Sequence, residues 1–347
     1  MNQLTGRKHY LDNLRAFTIL LLFPFHIFMI YNNWGEDFYI HGEALLVPSM
    51  FISIASLWMM PLLFAVAGIS SRYALEKRSA GEYAKERVSK LLLPFIFSLL
   101  LIVPIQPYLA GIYFNGQAVY FVDAFTRVTD LSGYDGAFAL GQLWFILFLF
   151  AISMVSLPFM IGYKKRGKGT LGDKVPLILI IVMGLLPCIG SLLKIGGQSV
   201  KSPTEYLAYF LLAYFFLSNE TVLKKLESYR FLLLGLFVLY TGFATFIIGG
   251  EFYELASWLS ILTILGMARR YLDFSGTITG YLAKSSFGVY LFHLSWIVIT
   301  AFLVFKVTSN PLLQIPLILL PSIVLTYGTY ELCRRIPIFR WMFGLKK

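Results

Sequence analysis

Ten apolar runs recur along this 347-residue chain, and lipid allows such runs few conformations. They lie at about Leu14 to Tyr31, Leu45 to Ser70, Leu91 to Tyr113, Gly141 to Gly162, Val175 to Leu193, Tyr206 to Ser218, Phe231 to Ile248, Phe252 to Met267, Phe287 to Phe305 and Pro311 to Leu332. The runs are too long for barrel strands, and a backbone in hydrocarbon has no water to bond, so each is expected to be an α-helix. Hydrophobic residues make up 58% of the chain and charged residues only 14%, whereas a soluble domain carries about 25% charge, so an ordinary soluble fold is excluded. The expected fold is all-α: a polytopic membrane protein of about ten transmembrane helices, forming one integral-membrane domain over residues 1–347. The sixth run is short for a full crossing. It must borrow polar flanks or lie in a thinned or protein-lined region.

Charge gives an independent reading of topology, because loops on the cytoplasmic side retain lysine and arginine. With the N-terminus inside, the inner segments hold 24 of the 29 basic residues. The outer loops hold Arg127, Lys194, Lys201 and Lys306, and Arg15 lies within the first run. Omitting the short sixth run would put Arg269, Arg270 and the basic C-terminus outside, so the asymmetry argues for keeping it. Both termini are expected in the cytoplasm. The net charge of +11 then follows from topology and anionic lipid, with no nucleic-acid partner needed. The first run is no cleavable signal, since Asp12, Arg15 and His26 interrupt it. The longest loop, Asn115 to Leu140, carries aspartates at 123, 130 and 135 and has the length of a partly ordered external cap. Cys188 and Cys333 stand in separate apolar runs without metal-ligand spacing, which reads as packing.

Arg15 and His26 sit where lipid should have driven ionisable groups out, so they need a reason to be there. Their separation of 11 residues advances a helix about 16 Å and overshoots three full turns by only about 20°, which places them on one face. An arginine at one membrane surface then lies in line with a histidine nearer the middle. Such an arrangement suits an anionic cosubstrate at the rim and proton chemistry deeper in. The plainer alternative is an arginine that snorkels to headgroups and a histidine bonded to a neighbouring helix. Arg87 and Lys90, three apart, share a helix face at the same depth as Arg15. Three cations there could bind phosphates, or they could be ordinary positive-inside decoration, the reading given to Lys164, Lys165 and Arg166. His293 is a second histidine at membrane depth and needs a partner or a water-lined cavity, and Tyr290 shares its face. Trp144, in GQLWFI, and Tyr290 are equally at home as interface or packing aromatics. His9 and His41 lie in flanking segments and carry no such argument. For His26, Asp12 lies too near the inner surface to be its carboxylate partner, and Glu36 or Asp37 could approach only if the outer loop folds back.

The segment LDNLRAFTILLLFPFH, with ten residues between Arg15 and His26, resembles the first helix of the membrane-bound acyltransferase 3 family. The resemblance continues through MPLLFAVAGIS, ERVSKLLLP, QLWFI, SSFGVYLFH and YELCRRIPIFRWMFGLKK in the same order. Within that family, PFHIFMIYNN and the chain's ending are most similar to the glucan-biosynthesis succinyltransferase branch. Two departures stand out: Ala67 precedes Gly68 where relatives often have serine, and Lys90 fills a position often occupied by arginine. The resemblance implies an enzyme of the bacterial cytoplasmic membrane. It would transfer an acyl group from cytoplasmic acyl-CoA, acetyl-CoA or succinyl-CoA, to a hydroxyl of an extracytoplasmic glycan or lipid-linked sugar, with no metal.

The chain's own chemistry fits that implication. Neutral imidazole at His26 can deprotonate an acceptor hydroxyl, or it can carry the acyl group itself. Arg15, Arg87 and Lys90 would hold CoA phosphates. His293, Tyr290 and Trp144 would orient His26, stabilise the oxyanion or line the acceptor cavity. The rival class is a transporter or flippase for a glycan, glycolipid or acyl metabolite, using the same histidines as a proton relay. Against it stands the lack of paired, glycine- or proline-broken runs repeated between the two halves.

Overall fold

The computed structural model describes residues 8–35, 38–116, 126, 133–134, 136–165, 175–192, 201–250 and 252–346, and among them the regular elements are helices, with no strand. The chain begins with α1 (His9–Leu20) and α2 (Leu22–Met29), which form one 21-residue span interrupted at Leu21. Pro24 causes the interruption, because it has no N–H to offer the Leu20 carbonyl. Next come α3 (Leu46–Lys77), α4 (Ala80–Arg87), a π-helical turn at Val88–Leu92, α5 (Leu93–Leu101) and α6 (Ile105–Asn115). A 3-10 turn at Gly141–Leu143 leads into α7 (Trp144–Lys165). The second half comprises α8 (Leu177–Val182), α9 (Leu185–Ser191), α10 (Pro203–Leu212) with a π turn at Ala213–Leu217, α11 (Glu220–Ser228) and α12 (Arg230–Phe246). It closes with α13 (Tyr253–Tyr271), α14 (Thr277–Val304), α15 (Pro311–Arg335) and α16 (Pro337–Met342). Helix α14 packs along α15 on one side and α1 and α2 on the other, while α13 lies among α3, α11 and α12.

This is a multi-pass architecture, but with fewer unambiguous spans than the ten expected. Among the described residues six helices are long and apolar enough to cross a membrane: His9–Met29, Leu46–Lys77, Ala80–Asn115, Gly141–Lys165, Thr277–Val304 and Pro311–Arg335. The short sixth run becomes Pro203–Leu217, which meets Glu220–Ser228 at a 99° bend and makes a seventh only if the pair is one span. The fifth and seventh runs are the shorter apolar helices Leu177–Ser191 and Arg230–Phe246. The eighth, α13, is sheathed by other helices. Trp258, Ile261, Leu262 and Leu265 are all fully buried, so its apolar surface is consumed by protein contact. At 19 residues α13 is long enough to cross, but Glu254, Arg269 and Arg270 give any 18-residue stretch of it three charges. The loop from Asn115 to Leu140, with Asp123, Asp130 and Asp135, lies largely outside the described residues.

The broken helices share one physical logic. Pro187 cannot donate to Met183, and Gly184 donates to Ile181 instead of Ile180, so α8 and α9 part and the Ile180 carbonyl is released. The Trp258 indole N–H, 2.8 Å away, takes that carbonyl. Its ring fits because Gly184 has no side chain: a Cβ there would stand 2.5 Å from Trp258 Cδ1. Between α5 and α6 the ladder also breaks at Pro104: Gln106 N–H bonds Val103 O instead of Ile102 O, and the Ile102 carbonyl is bonded at 3.0 Å by the Ser295 hydroxyl of α14. Pro94 likewise leaves the Lys90 carbonyl without its usual donor, and the turn at Val88–Leu92 widens, Leu93 N–H bonding Val88 O. Released carbonyls in an apolar bundle are thus satisfied by side chains of neighbouring helices or by local rewinding.

At the end where α1 begins, Lys8 and Arg269 both pair with Glu220, the latter at 2.7 Å, and Arg269 also reaches Glu227 at 3.0 Å. Asn13 donates to the carbonyls of Leu272 and Phe274, each at 2.8 Å. Together these tie the start of α1 to α11 and the end of α13. Lys164 also has a specific structural role: its ammonium caps the C-terminus of α3, 2.6 Å from the Leu75 carbonyl and 3.1 Å from that of Arg78.

Close helix approach is set by missing side chains, most severely at Gly68, where a Cβ would meet the Phe210 carbonyl oxygen at 2.2 Å. Both surfaces there are backbone, so neither can swing away. Gly68→Ala should therefore lower stability by about 1–3 kcal/mol, the usual range for overpacking. Gly162→Ala, whose Cβ would meet nothing within 4 Å, is the control. Thermal unfolding in detergent checks the pair, and equal midpoints would contradict this packing.

Candidate active site

Two of the three expected phosphate-binding cations converge on one turn of α3. Arg15 Nη2 donates to Ser70 Oγ at 3.3 Å, and its Nη1 lies 3.6 Å from Asp12. Arg87 Nη2 donates to Ser71 Oγ at 3.0 Å, with its guanidinium 4.6 Å from the centre of the Tyr83 ring. The Ser71 hydroxyl is fully used: it donates to Ala67 O and accepts from both Arg87 and the Tyr83 hydroxyl at 2.9 Å. The neighbouring serines of α3 therefore hold guanidinium groups from α1 and α4 side by side. Lys90 is directed elsewhere. Its ammonium donates to the Gly344 carbonyl at 3.0 Å and fastens the buried chain end at Phe343 and Leu345 against the π turn.

Deeper along the same span, the two intramembrane histidines meet. The His26 and His293 rings lie 5.2 Å apart between centroids, tilted by 40°. His293 is fully buried, and its Nδ1 is 2.8 Å from the Tyr290 carbonyl oxygen. A carbonyl only accepts, so Nδ1 carries the proton and Nε2 keeps its lone pair. That Nε2 and the Nδ1 of His26 are both buried without a hydrogen-bond partner among the described residues. Buried polar atoms are ordinarily paired, so two orphans on facing rings make this pair the candidate site. Phe23 packs edge-on to His293 at 5.8 Å, and Phe25 likewise to His26 at 5.3 Å, which walls the pair with apolar rings.

A buried amide network braces the turn of α14 that carries His293. The Tyr290 hydroxyl donates to the Gln142 carbonyl, and Gln142 Nε2 donates back to the Leu291 carbonyl at 2.7 Å. Gln106 Nε2 bridges Gln142 Oε1 at 3.0 Å and Ser295 Oγ at 2.8 Å. Three elements, α6, the 3-10 turn and α14, are so held in one register. Tyr290 therefore acts through this brace; its ring centre is 6.0 Å from that of His293. Trp144 stands further off. It packs on Tyr206 and Phe148, each at 5.5 Å, with Lys201 over its face at 5.2 Å, and touches the site only through Phe145.

The residues expected from sequence thus divide. Arg15 with Arg87, and His26 with His293 and Tyr290, are brought together, whereas Lys90 and Trp144 belong to other contacts. Gln106, Ser295 and Ser71 were not anticipated, although a glutamine in IVPIQPY and a serine in FHLSW are polar groups in apolar runs and so must find partners. Glu36 and Asp37 lie outside the described residues. Among the described residues, no group of three or more His, Cys, Asp or Glu side chains is placed to hold a metal ion.

A bundle of apolar helices, six of them long and apolar enough to cross a bilayer among the described residues, defines a multi-pass membrane protein with a buried histidine pair. The acyltransferase domain model, Acyl_transf_3, matches residues 8–331, and the chain belongs to that family of membrane acyltransferases. Relatives include glucans biosynthesis protein C of Escherichia coli O6:K15:H31, 22% identical, and of Escherichia coli K12, 23% identical. In both, the match covers 98% of this chain and 95% of the relative. The same-named protein of Salmonella schwarzengrund is 21% identical over equal shares. No solved structure matches the chain.

Gln142→Leu tests the brace. It strips the acceptor from the Gln106 amide and the extra donor from the Leu291 carbonyl, and orphaning a buried group costs about 1–3 kcal/mol. A lowered unfolding midpoint in detergent is expected; an unchanged one would show that the network bears no strain.

Proposed function

We propose that this chain transfers an acyl group, acetyl or succinyl, from acyl-CoA to a hydroxyl of a glycan or lipid-linked sugar across the bacterial cytoplasmic membrane. The observation that carries this reading is that His26, on the span that also carries Arg15, faces His293 of α14, in a member of an acyltransferase family. The charge asymmetry of the loops supports placing both termini, Arg15 and Arg87 on the cytoplasmic side, where acyl-CoA is found. Relatives named for glucan biosynthesis favour a glycan as the acceptor.

The donor's phosphates would be held by Arg15 and Arg87, whose planar guanidiniums suit bidentate bonding to phosphate oxygens. Among the described residues the partners of Arg87 are a hydroxyl and an aromatic ring, both neutral, so its charge is uncompensated there. The thioester would extend inward to the histidines. His26, half-buried, takes the proton from the acceptor hydroxyl as that oxygen attacks the thioester carbonyl, and then returns a proton to the departing thiolate. His293 is the positioning partner. Its Nε2 lone pair is fixed by the bond at Nδ1 and stabilises the imidazolium that forms on His26. The apolar rings around the pair exclude water, which protects the thioester from hydrolysis.

Two expectations follow from these roles. His26→Ala should reduce transfer of labelled acyl groups from acyl-CoA to acceptor by at least about 100-fold at normal abundance, the lower worth of a general base. Near-wild-type transfer would remove His26 from the chemistry, and movement of acceptor without covalent change would make the chain a carrier. For the donor site, Arg15→Gln or Arg87→Gln should weaken CoA binding to inverted vesicles by about 10- to 150-fold, the equivalent of about 1.5–3 kcal/mol for a charged hydrogen bond. Lys90→Gln should change it least, given the bond to Gly344. Unchanged binding in both arginine variants, or binding of CoA by intact cells, would overturn the donor site or its orientation.

A further inference from the structure

The chain that follows α2 turns back into the bundle. Phe38, Tyr39 and Ile40, which belong to no helix, are 3%, 2% and 1% exposed, a degree of burial unusual for a connecting segment. Phe38 lies face to face with His26, their planes 11° apart and centroids 6.0 Å apart. Behind it, Tyr39 and Tyr134 pack against Phe38 at 5.2 and 5.8 Å and against each other at 5.0 Å. Tyr134 comes from the segment before α7, so two connections interlock over one histidine. All this lies at the end of the α1–α2 span opposite Arg15.

The segment is fastened just beyond the aromatic residues. Gly42 N–H bonds Ile30 O at 2.8 Å, Leu45 N–H bonds Tyr31 O at 2.9 Å, and the Tyr113 hydroxyl donates to His41 O. Gly42 fits so closely that a Cβ would stand 2.8 Å from the Tyr31 ring. The anchor thus sits at residues 41–45, and Phe38 projects from it onto the imidazole. Any hydroxyl approaching His26 from this end meets the Phe38 ring first.

We propose that Phe38, backed by Tyr39 and Tyr134, is the specificity-determining residue that decides which nucleophile reaches His26: it excludes water and yields to an acceptor sugar. The inference rests on the acyl-transfer reading. Without a cover, water would compete with the acceptor. Its oxygen would attack the thioester carbonyl, the C–S bond would break, one proton would pass through His26 to the thiolate, and free acid and free thiol would result. An aromatic cover suits the task because a sugar presents C–H faces that can replace ring contacts, whereas a single water cannot displace a buried ring.

The decisive experiment reads access directly. In a background of Cys188→Ser and Cys333→Ser, both native cysteines being free, His26→Cys is exposed to a charged methanethiosulfonate reagent in intact cells. Labelling should be slow with Phe38 present and about tenfold faster with Phe38→Ala, as expected when a water-excluding group is removed. If Phe38→Ala does not fold, Phe38→Leu decides, since it keeps apolar bulk but not the planar face. Equal labelling with and without the ring overturns the cover. In parallel, with His26 restored, Phe38→Ala should hydrolyse labelled acyl-CoA faster in the absence of acceptor while transferring less to acceptor. If access rises but wild-type protein transfers no acyl group, the acyl-transfer reading fails and the cover stands. If wild-type protein transfers normally and Phe38→Ala alters neither access nor hydrolysis, the cover fails alone.

Discussion

A backbone carbonyl released inside an apolar bundle has no partner except another part of the same chain. Prolines at 104 and 187 create such carbonyls, and the groups that satisfy them tie neighbouring helices together. Trp258 bonds the Ile180 carbonyl, and Ser295 bonds that of Ile102. The second bond matters most for function, because Ser295 lies two residues after His293. The break between α5 and α6 therefore also brings Gln106 against Ser295, and Gln106 in turn holds Gln142 against Leu291. Breaking the helix is what fixes the histidine.

The site that results separates charge from proton chemistry along one span. Arg15, midway along α1, and Arg87, at the end of α4, are bonded to hydroxyls of α3, and the imidazoles lie among phenylalanines. A cosubstrate with a polyanionic head and a reactive group at the far end of a long arm fits this division. In the proposed reading, charged hydrogen bonds would bind the head, and the low-polarity interior would strengthen the histidine interaction and keep water from a thioester. The family and the glucan-named relatives are consistent with that chemistry.

Much of this was legible in the sequence, and for identifiable reasons. Arg15 and His26 stand out because ionisable groups in apolar runs are costly, and an unbroken helix would put them on one face. His293 stands out by the same argument, although its pairing with His26 required tertiary structure. Lys90 looked equivalent to Arg87 from its spacing, but its partner Gly344 is 254 residues away in sequence, which no local pattern reveals. Phe38 carried no signal at all, since a phenylalanine after an apolar run is unremarkable until the chain is seen to fold back. Of the ten runs expected to span, six are long and apolar enough as helices among the described residues; α13 has the length, but Glu254, Arg269 and Arg270 fall within any 18-residue stretch of it, and the fifth and seventh runs form shorter helices.

The proposed acyl donor and the histidine pair would meet where the α1–α2 span faces α14. A structure determined with a non-hydrolysable acyl-CoA analogue addresses this most directly. The account predicts the CoA phosphates at Arg15 and Arg87 and the acyl carbonyl carbon within reach of the His26 imidazole, with His293 on the far side of that ring. A donor bound with its acyl group remote from both histidines would contradict it.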